Sequence, residues 1–136
     1  MMEKGIQEAL VGKEIEYVEM DICGSAICFH LKDAPSVVLE ARGDCCSESW
    51  IESIDAPLAL VGKVLSVEEI PMPFLGNVGT AKHSLDDPHQ YQGLISYYGL
   101  KITTVAGTAV LDYRNDSNGY YGGELAVRKN NKEIAP

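Results

Sequence analysis

The sequence predicts an α+β domain, an antiparallel β-sheet of about six or seven strands with one or two short helices packed on it. Short apolar runs rich in Val, Ile and Tyr recur between Gly, Pro and Asn-Gly punctuation, the pattern of strands joined by turns. Apolar residues at helical spacing are confined to two short stretches. The 136 residues, 46% hydrophobic and 23% charged, suffice for one packed domain over residues 1–128, with a polar tail at 129–136.

Residues 2–11 place Ile6, Ala9 and Leu10 on one helical side, and Gly12 is suited to end that helix. The run from Glu14 to Ile22 alternates, turns at Cys23-Gly24-Ser25-Ala26 and returns through Ile27–Leu31 as a hairpin. After the Lys32-Asp33-Ala34-Pro35 turn, Ser36–Ala41 reads as a third strand. A second helix is expected to start near Cys45, with Asp44 as its N-cap, Trp50, Ile51 and Ile54 on its packed side and Pro57 as its stop.

Leu60-Val61-Gly62-Lys63 repeats Leu10-Val11-Gly12-Lys13 at an offset of 50 residues. The echo reads as similar local geometry, a helix end leading into a strand, with an ancient duplication as the alternative, and is too short for a solenoid. Residues 71–91, with three of the six prolines, read as the longest loop. Strands follow at Leu94–Val105, Ala109–Arg114 and Gly119–Arg128, with a tight turn at Ala106-Gly107-Thr108. Asn118-Gly119 is a type I′ hairpin signal, because both central positions of that turn need positive φ.

A net charge of −9 without a Lys/Arg cluster makes duplex nucleic acid and anionic membrane poor partners. No run approaches the roughly 20 apolar residues of a membrane span, and Met1-Met2-Glu3-Lys4-Gly5 lacks the form of a signal peptide, so a cytoplasmic location with reduced thiols is expected. Cys23, Cys28, Cys45 and Cys46 have poor spacing for a structural zinc, and neither a metal nor a cofactor is expected. The chain has no P-loop, no dinucleotide fingerprint and no recognisable catalytic motif. Ligand binding fits better. Arg42 and Arg114 each precede a turn at a strand end, where a guanidinium can grip a phosphate or carboxylate through two donors, and aromatic faces can stack on a base or sugar. The expected ligand-binding set is Arg42, Asp44, Trp50, Arg114, Asn118, Tyr120 and Tyr121.

Two segments carry a family resemblance: Asp44-Cys45-Cys46-Ser47-Glu48-Ser49-Trp50-Ile51-Glu52 and Ser117-Asn118-Gly119-Tyr120-Tyr121. With them the chain resembles a family of small uncharacterised proteins of phages and prophage-bearing bacterial genomes. In size and acidity it is also similar to small phage counter-defence proteins that sequester nucleotide immune signals, including those that disarm Thoeris defence. The resemblance implies a non-enzymatic small-ligand binder of phage or prophage origin, sequestering a nucleotide-derived signal, with a homo-oligomer able to share a site between protomers. The alternative is an acidic interaction module or nucleic-acid mimic that binds a basic host protein. A third reading is a thiol-dependent enzyme using Cys45 or Cys46.

Overall fold

The computed structural model describes residues 4–43, 48–71, 94–117 and 123–128. Helix α1 (Gly5–Leu10) is followed by β1 (Glu14–Met20), β2 (Ala26–Leu31), β3 (Val37–Gly43) and β4 (Glu48–Ile54). A 3₁₀ turn (Pro57–Leu60) then leads into β5 (Gly62–Pro71), β6 (Leu94–Thr104), β7 (Gly107–Ser117) and β8 (Gly123–Val127). All strand pairings are antiparallel, and the order across the sheet is β4-β7-β6-β5-β1-β2-β3-β8. The architecture is thus mostly antiparallel sheet with little helix. The described residues form eight strands, more than the six or seven expected.

The additional strand is β4, which replaces the helix expected after Asp44. Trp50 lies opposite Arg114 and Ile51 opposite Tyr113, so the segment pairs along β7. Its Trp and two Ile residues favour a pleated, half-buried surface, and a local N-cap signal cannot outweigh a full cross-strand ladder. Asp44 and Cys45–Ser47 themselves lie outside the described residues, as do the Asn118-Gly119 turn, residues 72–91 of the expected long loop and the tail from residue 129.

The core is continuous across the sheet and reads as period-two burial on β2, where Ile27, Phe29 and Leu31 are buried. Ile6 and Leu10, one helical turn apart, seat α1 against it, and Gln7 Nε2 donates to the Val67 carbonyl at 2.8 Å. Each such Leu or Ile withdrawn from water contributes about 2 kcal/mol. Tyr113 is fully buried and donates its hydroxyl to Glu69 at 2.7 Å. Among the described residues no helix is long and apolar enough to cross a membrane.

The strand order has an internal symmetry that goes beyond the four-residue echo. Exchanging β1–β4 with β5–β8 gives the same order reversed. The two halves meet where Glu14 and Ile15 pair with Lys63 and Gly62, beside the two Leu-Val-Gly-Lys quartets. Gly12 N donates to Val64 O at 2.9 Å and Val64 N to Lys13 O at 2.8 Å, and both quartet glycines have positive φ. The ladders of β1 with β2 and of β5 with β6 are each broken by a bulge at the same place, after Ile15 and after Val64.

Aligned through these ladders, Val38-Leu39-Glu40-Ala41-Arg42-Gly43-Asp44 falls on Val110-Leu111-Asp112-Tyr113-Arg114-Asn115-Asp116. The chain has the arrangement of two copies of one unit in which each copy's fourth strand completes the other's sheet, β8 on β3 and β4 on β7.

Candidate functional site

The repeat carries Arg42 and Arg114 at equivalent positions, each two residues after a carboxylate and therefore on the same strand face as that carboxylate. Arg114 donates to Asp112 in bidentate fashion, Nε to Oδ1 at 3.1 Å and an η-nitrogen to Oδ2 at 2.9 Å. Glu52 lies 3.6 Å from its other η-nitrogen, and its Cζ stands 4.9 Å from the centroid of the Tyr97 ring. Trp50, opposite Arg114 and buried, donates its indole N–H to Glu52 at 2.8 Å. One guanidinium thus faces two carboxylates, and an anionic ligand would have to displace one of them.

Arg42 has the complementary arrangement. Its Nε donates to Glu40 at 3.0 Å, and Arg128 also donates to Glu40, so one carboxylate serves two guanidinium groups and the trio carries one positive charge in excess. Burial works to raise the Glu40 pKa, but the hydrogen bonds from Arg128 and Arg42 outweigh it and hold the carboxyl below the ordinary glutamate value of 4.5. A depressed carboxyl contributes stability that is in place above the ordinary value and is lost as pH falls through the lower folded one. Glu40→Gln is therefore expected to flatten the loss of stability below about pH 4.5, read by urea titration across that range, where the native protein falls more steeply.

The sequence reading expected Arg42 and Arg114 to share one ligand. The structure gives them different carboxylates, Glu40 for Arg42 and Asp112 with Glu52 for Arg114. Of the other expected residues, Trp50 joins the Arg114 group, while Asp44, Asn118, Tyr120 and Tyr121 lie outside the described residues. Asn115, fully buried, donates its amide to the Glu48 carbonyl and to Ser49 Oγ. Its carboxamide oxygen has no hydrogen-bond partner among the described residues.

A second constellation lies on the outer side of β1–β2–β3. Tyr17 stands opposite His30 and Glu19 opposite Cys28, so the four side chains share one face. The Tyr17 and His30 rings stack at 4.0 Å with an interplanar angle of 11°. His30 Nε2 is 2.5 Å from Glu19 Oε1, and His30 Nδ1 is 3.2 Å from Ser36 Oγ. Burial pushes the Cys28 thiol up, with the neighbouring Ser36 hydroxyl working the other way, so it stays protonated at neutral pH. Ser36 also lines a cavity of about 420 Å³ between the end of α1, the β2–β3 turn and the end of β8. Leu31, Val37, Val38 and Val127 give that cavity an apolar wall, and Lys13, Arg128 and Glu8 supply its charged groups.

The family described as a domain of unknown function, DUF7448, matches residues 8–127. The chain belongs to the DUF7448 family. No curated protein and no solved structure matches it. Any function assigned to this DUF7448 domain therefore rests on its own geometry.

In the sequence His30 is one of three scattered histidines and Cys28 one of four cysteines with poor spacing for a structural zinc. Among the described residues of the DUF7448 domain, no three His, Cys, Asp or Glu side chains converge as a metal would require. The signal for the second constellation was present as alternation: 17 and 19 on one strand, 28 and 30 on the next. Only the register of β1 against β2 turns those spacings into contacts.

Proposed function

We propose that this DUF7448 domain binds a small anionic ligand in the cavity beside Arg128 and Lys13. The observation that carries the reading is the pair Lys13 and Arg128 on the wall of an apolar-sided cavity, against the single carboxylate of Glu8, in a chain of net charge −9. Cations gathered at a concave apolar site favour a ligand with a phosphate or carboxylate at one end and a flat or apolar body. About 420 Å³ lies within the usual range for small-molecule sites. The Arg114 group, with one carboxylate in excess, is the weaker half of the expected site.

Sequestration of a nucleotide-derived immune signal by a phage-encoded protein is the specific form of this proposal, and its support is the likeness in size and acidity to such proteins. Sequestration requires tight binding and no chemical step. A thermal-shift screen against mononucleotides, cyclic nucleotides and ADP-ribose derivatives tests it. A ligand at about 100 times its Kd adds roughly 2.7 kcal/mol, or about 8 °C for a domain of this size. The shift is expected to vanish in Lys13→Ala and Arg128→Ala. A flat screen would sink this reading and leave the acidic interaction module, which a salt-sensitive pull-down with a basic protein would detect.

A further inference from the structure

The internal repeat supplies a control for the Glu19–His30–Ser36 constellation. On the equivalent face of the other half, Ser66 lies opposite Thr103, Glu68 opposite Lys101 and Thr103 opposite Thr108. Thr103 and Thr108 approach through their hydroxyls at 3.5 Å, and Lys101 reaches Glu68 at 3.5 Å. Those are ordinary cross-strand pairs that suit an exposed sheet face. The same backbone in the first half carries Tyr17, His30 and Ser36 where the second carries Ser66, Thr103 and Thr108. The sheet therefore does not need a histidine at this position.

In the neutral imidazole, Glu19 accepts from Nε2–H, which leaves the Nδ1 lone pair to accept the Ser36 hydroxyl proton. The Tyr17 ring, stacked on the imidazole, holds its plane. Ser36 is at once the outer member of this relay and part of the wall of the cavity that holds Lys13 and Arg128. A nucleophile, a base hydrogen-bonded to it, a carboxylate orienting the base and an adjoining cavity are the parts of an acyl-transfer centre.

We propose that Ser36 is the nucleophile of an esterase site whose substrate is a small carboxylic ester with an anionic end. The inference takes the anion-binding cavity from the reading above and adds a reaction to it. Ser36 Oγ bonds to the ester carbonyl carbon while its proton passes to His30 Nδ1, and the carbonyl π pair moves onto oxygen. Collapse of that adduct breaks the bond to the alkoxy oxygen, which leaves as the alcohol with the proton from His30. Water then attacks the acyl-serine, giving its proton to His30, and the carboxylic acid departs as Ser36 regains a proton. His30 is the second catalytic residue, whereas Glu19 and Tyr17 are positioning residues that act through it.

The test uses the full chain with p-nitrophenyl acetate as reporter and a fluorophosphonate as covalent probe. Expected are nitrophenolate release and a phosphonate adduct mapped to Ser36. Ser36→Ala should abolish both, and His30→Gln should slow release by about 100-fold or more. Glu19→Gln should lower kcat by about tenfold with KM unchanged, since it loses the partner that sets the tautomer. Thr108→Ala, the equivalent hydroxyl of the other half, should leave release unchanged. Release that survives Ser36→Ala, or an absence of adduct on Ser36 in the folded native chain, would overturn the proposal. Its failure is separable from that of ligand binding, because the thermal shift with nucleotides depends on Lys13 and Arg128 and should persist in His30→Gln, whose side chain lies outside the cavity wall.

Discussion

Gly24→Ala is expected to cost the domain about 3 kcal/mol, lowering its melting temperature by about 10 °C. Gly24 sits in the β1–β2 turn at φ 72°, where an L side chain is strained by roughly 1–2 kcal/mol. A Cβ there would also run into the Ile51 carbonyl oxygen, a backbone atom of β4 that cannot rotate away. The Gly24 carbonyl accepts from Ile51 N at 2.6 Å, so displacement of the turn forfeits a further hydrogen bond worth about 1 kcal/mol. Gly12→Ala supplies the contrast, because Gly12 has φ 86° but nothing within 4 Å of its added carbon. It should cost only the backbone strain, about 1 kcal/mol. Urea titration of the two variants measures the difference, and equal losses would show that the turn's approach to β4 carries no weight.

Arg114→Ala is the second large effect, a loss of about 3 kcal/mol. The Arg114 side chain is only 11% exposed and that of Asp112 16%, so deleting the cation leaves a nearly buried carboxylate with its bidentate partner gone and Glu52 beside it. Stranding a charge costs more than the pair itself contributes, so Arg114→Met combined with Asp112→Leu should recover most of the loss. Arg42→Ala should cost under about 1 kcal/mol, because its side chain is 38% exposed and Arg128 still holds Glu40. The same variants weigh the binding proposal. Arg114→Ala should lower the melting temperature while leaving a ligand-induced shift intact. A stable Arg114→Ala that no longer responds to ligand would return the site to the Arg114 group.

Several elements were legible because local chemistry and tertiary packing agree. Ile6 and Leu10 signal α1, the alternation at Ile27, Phe29 and Leu31 signals β2, and Gly107 signals the turn into β7. The segment after Asp44 was misread because an N-cap residue and spaced apolar side chains also suit a helix, and only the ladder with β7 decides for a strand. The four-residue echo was legible as a junction. The longer repeat, Val38–Asp44 against Val110–Asp116, escaped because its offset differs from that of the quartets, through the longer β5–β6 connection.

The class of fold, an antiparallel sheet with little helix, and the acidic character against which Lys13 and Arg128 stand out are both written in the amino-acid order. Both follow from composition and short-range periodicity, which a chain carries in its covalent order. Long-range pairing settles which carboxylate neutralises which arginine, that β4 and β8 exchange between the halves, and that Glu19, His30 and Ser36 come within hydrogen-bond distance in series. Those outcomes depend on strand register and on pairing between distant segments. A one-residue slip would send Glu19 and His30 to opposite faces, and the sequence contains each residue without fixing the slip.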